Sequence, residues 1–389
     1  MTNVGVFFGG VSVEHEVSII TAHQAIGIMK NKYNIVPIYI TKKGEWYTGK
    51  ALLKVENFNN IDKLIKSCAR VTLLSNGDKK VLFKFPFNVI GKNIIEEIDI
   101  AFPIFHGSKG EDGTIQGFFE TLDIPYVGCD VLSSAICMDK IATKLLLRES
   151  NIPVVDFYWF FSRNWPEKFP EIRNYVGDKL GYPVIVKPSN LGSSIGIKKA
   201  KDEVELEEAI EIAGIFSEKI LIEKAIKNFR EINCSVLGDI GGCEVSCCEE
   251  PISSEEILSY NDKYMHNSTK GMSGAKRIIP AEIDSIHEEK IKSMARDAFV
   301  KLNCNGVARV DFLIDKDTSE VFFNEINTIP GSLAFYLWEA SGKTFEELTD
   351  FLIKLALKRK QNQREIITTF ENNLLENYVT MGVKGRCVK

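Results

Sequence analysis

The stretch "GVARVDFLIDKDTSEVFFNEIN", residues 306–327, holds two apolar runs joined by a polar turn. If the runs pair as a hairpin centred on Thr318, Asp311 lies opposite Glu325 and Arg309 opposite Asn327, because each pair sums to the same value. Side chains alternate along a strand, so all four share one face. Two carboxylates and an amide oxygen are hard ligands suited to Mg²⁺, which completes its shell with substrate phosphates. An arginine beside them can stabilise a phosphoryl group in transfer. The same four residues, taken alone, also describe a surface hairpin with cross-strand ion pairs.

Working outward, 389 residues with 44% hydrophobic and 26% charged content supply an ample core, and the length predicts about two or three domains. A net charge of -5 gives no basic footprint for a phosphate backbone, which argues against nucleic acid as a partner. The run Lys358-Arg359-Lys360 is expected to end a helix, where cations suit the dipole. The opening "MTNVGVFFGG" lacks a charged leader, and no apolar run reaches membrane-spanning length. A cytoplasmic protein without membrane partners is the expectation. Nine cysteines are scattered without paired C-x-x-C spacing and read as reduced apolar residues.

Val4 to Phe8 form an apolar run that meets Gly9-Gly10, followed by helical spacing at Ile19, Ala22, Ile26 and Met29 and by the strand "IVPIYI". With "DIAFPIF" ending at His106-Gly107, residues 1–125 predict an open parallel sheet whose loops, carrying Glu14, Glu16 and His106, gather at its carboxyl edge. From Tyr126 the pattern becomes α+β, with strands "YPVIVKPS" and "KILIEKAI" and a hairpin around "GDIGG". Residues 259–276 form a polar stretch too long for a simple connection, read as a surface loop or an active-site lid. Lys187 at a strand end precedes Gly192-Ser193-Ser194-Ile195-Gly196, whose amides and hydroxyls can fold over phosphates. "SGKT" at 341–344 is no Walker A loop, because the first glycine would fall at Leu337.

The motifs "FFGGVSVEHEVS", "HGSKGEDGTIQGFFETLDIPYVG", "AICMDK", "VKPSNLGSS", "ARVDF" and "NEINTIPG", in this order, resemble the ATP-grasp superfamily and closely its D-alanine:D-alanine ligases. The match spans about residues 4–340 and favours the metal-site reading of the hairpin. It implies an ATP-grasp fold, α/β and α+β. An N-terminal domain over 1–125 would bind the first substrate, a central subdomain would cover 126–223, a C-terminal subdomain 224–360 would carry the metal site, and 361–389 would be a tail. ATP would be the cofactor, with Lys140, Lys187, Gly192 and Ser194 on its phosphates, Glu223 at the adenine hinge and Glu231 on the ribose. One inserted residue separates Glu223 from Glu231 relative to the usual spacing. Asp311, Glu325 and Asn327 would hold two Mg²⁺ ions, or Mn²⁺ in their place, and Arg309 would face the transition state. Glu14 would receive the ammonium of the first amino acid, linked through Ser193 to Tyr264, while His106 would line the substrate site. For Glu14 and His106 the residues themselves equally allow a helix N-terminal acid and a structural histidine.

The departure lies at the turn where the family grips the second substrate's carboxylate. Gly331 and Leu337 fit, but the serine commonly found five residues beyond the glycine is here Tyr336, within the aromatic segment "SLAFYLWEA". Tyr336 either reshapes the acceptor pocket or packs with Phe335 and Trp338 in the core, and Ser332 could take the serine's place. The implied reaction joins two D-amino acids through an acyl phosphate for peptidoglycan precursor synthesis. Alternatives are a ligase using D-serine, D-lactate or another amino acid as acceptor, and a nucleotide-binding protein without turnover. Small amino acids are the expected partners, and the resemblance implies a homodimer.

Overall fold

The computed structural model describes residues 1–192, 194–252 and 277–369. Ser193, Tyr264, the whole of the 259–276 stretch and the tail from 370 lie outside the described residues.

The first sheet contains β1 (Asn3–Gly9), β2 (Asn34–Ile40), β3 (Trp46–Thr48), β4 (Ala69–Asn76), β5 (Lys79–Lys84), β6 (Ile94–Ile98) and β7 (Ile100–Ile104), in the order β6-β5-β4-β3-β2-β1-β7. Among these strands β1 pairs in parallel with its neighbours β2 and β7, and Ala101 of β7 makes a further parallel bridge to Tyr126. These are the apolar runs legible in sequence, buried on both faces as parallel strands usually are. β3 to β6 extend the sheet antiparallel beyond the expected parallel core. β4 and β5 form a tight hairpin with partly exposed faces. At the end of β1, Gly9 has φ 91°, and a Cβ there would meet the Ile40 carbonyl at 2.3 Å, so only glycine passes. The chain then enters the helix His15–Met29.

The second sheet, β8 (Phe157–Phe161), β9 (Val184–Pro188), β10 (Lys198–Ala200) and β11 (Lys219–Lys224), runs β10-β9-β11-β8. Val184, Val186, Ile220 and Ile222 pack beneath Leu206 and Ile210 of the helix Glu203–Phe216. The third contains β12 (Phe229–Asp239) and β13 (Gly242–Val245), then, beyond the short pair β14 (Glu250–Pro251) and β15 (Arg277–Ile278), β16 (Gly306–Asp315) and β17 (Val321–Asn327). Its order is β13-β12-β16-β17, and Ile291, Ala295 and Phe299 of the helix Ser285–Lys301 cover one face.

The helix Phe345–Arg364 returns to the first core, placing Leu348, Leu352, Ile353 and Ala356 against Val4, Phe8 and Ile26. Thr344, the end of the "SGKT" decoy, is its N-cap in a reciprocal capping box with Glu347. The basic run 358–360 lies inside this helix rather than at its end. Arg359 donates to the carbonyls of Tyr126 and Gly128 at 2.7 and 2.6 Å.

Candidate active site

The predicted register holds where the chemistry lies: Arg309 pairs with Asn327 and Asp311 with Glu325. Beyond that point the register shifts, so Asn324 is an extra residue on β17, and both Asn324 and Glu325 turn away from the core. Arg309 grips Asp311 with two hydrogen bonds, Nε to Oδ1 at 2.7 Å and a terminal nitrogen to Oδ2 at 2.6 Å. Asn327 donates to Asp311 Oδ2 at 3.4 Å, and Lys140 Nζ lies 3.5 Å from Glu325 Oε2. Among the described residues, no three His, Cys, Asp or Glu side chains gather to hold a metal unaided. Asp311 and Glu325 fit a hard divalent ion only with the Asn327 amide oxygen and phosphate oxygens completing the shell.

Facing this sheet stands a cluster of lysines. Lys187 on β9 and Lys144 on the helix Lys140–Glu149 meet the two oxygens of Glu223 at 2.5 and 2.7 Å; Lys144 and Glu223 are buried and Lys187 is partly so. Burial would raise the Glu223 pKa, but the two lysines outweigh it and hold the carboxyl down at about 2. The carboxylate of Glu223, expected at the adenine hinge, is thus engaged by two cations near the end of β11, where the chain crosses to β12. Lys144 is absent from the sequence-based set, although its spacing of four from Lys140 on one helix was the available signal. Asp139 caps that helix, accepts from Lys219 at 2.6 Å, and so fixes Lys140, whose Nζ donates to the Leu191 carbonyl at 2.9 Å. Glu231 on β12 accepts from Asn233, which is paired with Asp311. In the glycine loop, Ser194 is left-handed at φ 58°, and a Cβ on Gly196 would lie 2.9 Å from Pro188.

The amino-acid side is built on the first sheet's loops. Glu14 is buried at the N-cap of His15–Met29, where the helix dipole favours an acid, and its side chain makes no capping bond. Its carboxylate is wedged between glycines: a Cβ on Gly107 would meet it at 2.8 Å, one on Gly192 at 3.2 Å. This contact brings the first-substrate loop to the phosphate loop. Glu111, missing from the sequence-based set, accepts the Gly107 amide at 2.8 Å and the Ile329 amide at 3.1 Å. Burial and then the charge of Glu14 push its carboxyl up to about 8. His106 is buried and held neutral, with its pKa lowered by burial to about 4. Its Nε2 lies 3.1 Å from Thr21 Oγ1, which accepts the Ser332 amide at 3.2 Å. The structural role of His106 is therefore plain, and it abuts the acceptor turn.

In that turn Ser332, Leu333 and Ala334 are buried and successively left-handed, with φ 54°, 52° and 51°, a conformation costing roughly 1 kcal/mol or more per non-glycine residue. Ser332 contributes its backbone to this turn. The aromatic segment divides: Phe335 stacks on Phe345 at 4.6 Å and Trp338 is core, donating to Ser235 at 3.0 Å. Tyr336 instead sends its hydroxyl to Glu249 at 3.0 Å. The Leu337 side chain is fully buried, and its carbonyl accepts from the Ser341 hydroxyl at 2.7 Å.

Two antiparallel sheets presenting lysines on one side and carboxylates with an arginine on the other, beside an α/β loop cluster rich in acids, define an ATP-grasp ligase. The family model for the D-ala D-ala ligase N-terminus matches residues 3–129, and that for the C-terminus residues 146–354. The chain is 46% identical to the D-alanine–D-alanine ligase of Thermosipho africanus, covering 97% of this chain and 99% of the relative. It is 42% identical to that of Clostridium acetobutylicum, over 92% and 98%. Among solved structures, the D-alanine-D-alanine ligase from Coxiella burnetii superposes with a TM-score of 0.77 at 31% identity, covering 98% of each chain. The VanG D-Ala:D-Ser ligase from Enterococcus faecalis gives 0.76 at 34%, over 91% and 99%. The chain belongs to the D-alanine–D-alanine ligase family, an ATP-dependent ligase family.

Proposed function

We propose that this enzyme joins two D-amino acids, D-alanine at both positions, with ATP activating the first carboxylate as an acyl phosphate for peptidoglycan precursor synthesis. The observation that carries this reading is the register of β16 and β17, which aligns Arg309, Asp311, Glu325 and Asn327 on one face toward Lys140. ATP supplies the phosphoryl group, and one or two Mg²⁺ ions (Mn²⁺ as a substitute) held by Asp311, Glu325 and Asn327 would neutralise it. Lys140 and Lys187 would then hold phosphate oxygens, with Gly192 and Ser194 closing over them, Glu223 at the adenine hinge and Glu231 on the ribose. Arg309 would carry charge in both steps. Glu14 would hold the first substrate's ammonium, supported by its burial beside Gly107 and Gly192. Gly331 and the Leu337 backbone would receive the second substrate. No protein nucleophile is required: positioning and preorganised charge do the work.

Among the described residues no helix is long and apolar enough to cross a membrane. A cytoplasmic homodimer acting on small amino acids remains our reading from the resemblance.

The test is phosphate release from Mg-ATP with D-alanine alone, then with D-alanine paired with D-serine or D-lactate, identifying products by mass. D-alanyl-D-alanine from D-alanine alone is expected; no D-alanine-dependent release would sink the reading. A second acceptor stays in view because Tyr336 replaces the usual serine and a D-Ala:D-Ser ligase is among the structural neighbours.

A further inference from the structure

Glu249, Arg277 and Tyr336 form a closed unit to which the ligase reading assigns no shared task. Tyr336 donates to Glu249 Oε1 at 3.0 Å, and Arg277 donates to Glu249 Oε2 at 3.0 Å. The guanidinium lies 4.1 Å from the Tyr336 ring centroid, closing the triangle with a cation–π contact. The three residues come from separate elements. Glu249 pairs through its backbone with Asn233, the partner of Asp311; Arg277 opens β15; Tyr336 follows the left-handed turn. Glu249 is only 2% exposed. Glu249 lies beside Asn233, whose strand partner Asp311 is held by Arg309, so the unit borders the reacting centre.

A phenol carries one proton to donate. Here it goes to a buried carboxylate, which removal of the donor would leave one bond short. The hydroxyl is therefore committed to the protein and not offered to an acceptor carboxylate as a serine's would be.

We infer that Glu249, Arg277 and Tyr336 together determine which second amino acid is accepted, with Tyr336 acting through Glu249 to fix Arg277 rather than by bonding the substrate. The inference rests on the ligase reading and deepens it at the acceptor end. The Tyr336 ring is held by the Arg277 guanidinium against the ring and by Glu249 at its hydroxyl, which fixes its orientation. Tyr336 and Glu249 are positioning residues in this scheme.

The experiment compares the full-length enzyme with Y336F, E249Q and the double variant, using ATP, D-alanine and a competing D-serine or D-lactate, with product ratios read by mass. Each single change should shift the ratio of mixed product to D-alanyl-D-alanine roughly tenfold, the worth of one hydrogen bond to a charged group. The shift should appear in the KM of the second substrate while the KM of ATP stays fixed, and the double variant should add nothing further. Unchanged ratios, equal movement of the ATP KM, or simple additivity would overturn the inference. Should E249Q not fold, Y336F decides alone, because it deletes a single oxygen. A wild-type enzyme that makes no product from any pair would instead defeat the ligase reading itself.

Discussion

Glu223 and Glu111 are the same residue type in opposite electrostatic settings. Glu223 lies between Lys144 and Lys187, which keep it ionised to about pH 2. Burial, and then the nearby charge of Glu14, push the Glu111 carboxyl up to about 8 against the opposing pull of two backbone amides. The nucleotide side of the cleft thus balances its own charge, whereas the amino-acid side collects acid that a cation would complete. An ammonium group is that cation under the proposed function.

The largest effect should come from the nucleotide side. Arg309→Ala and Glu325→Ala are expected to lower kcat by about 10²–10³-fold or more, with the fold retained by circular dichroism. Arg309→Ala should also lower stability, since it strands the buried Asp311. Normal D-alanine-dependent turnover in either variant would remove that residue from the site.

Next, Glu223→Gln leaves two buried lysines with no carboxylate and should cost about 3 kcal/mol in denaturant unfolding. The folded pKa of Glu223 lies below its ordinary 4.5, so its contribution is present above 4.5 and lost as pH falls toward 2. Wild type should lose stability through this window more steeply than the variant. Parallel curves would break the comparison.

Glu111 has the opposite sign. Its folded pKa lies above 4.5, so its contribution is present below 4.5 and lost as pH rises through about 8. Glu111→Gln should flatten stability between those limits, and D-alanine should flatten it in the wild type by supplying an ammonium. A slope unchanged in both experiments would mean that the acids are already neutralised.

The smallest effect is a control outside both regions. Thr344→Ala, which removes a helix cap, should cost about 1 kcal/mol of stability and leave the pH dependence alone.

Sequence reading reached furthest where the relation was local and arithmetical. The hairpin register needed only two apolar runs and alternation, and it held from Arg309 to Asp311; the bulge at Asn324 escaped because a register centred on one turn residue allows no extra residue on either strand. The fold class followed from β1, β2 and β7, whose apolar runs are short and clear. Strands β3 to β6 alternate weakly and escaped. Glu111 stood inside a quoted motif and Lys144 four residues beyond another, and only the fold shows that each meets a partner across the cleft. The Tyr336 contacts with Glu249 and Arg277 join positions 87 and 59 residues apart with no periodicity to announce them.

The helix Phe345–Arg364 has a further consequence. It seals a core laid down by Val4, Phe8 and Ile26, and Arg359 clasps the chain at Tyr126 and Gly128. During synthesis, the earliest segment to leave the ribosome must therefore wait for one of the latest before its interior is closed to water. A fragment ending at residue 125 would be an unfinished shell rather than an independent lobe.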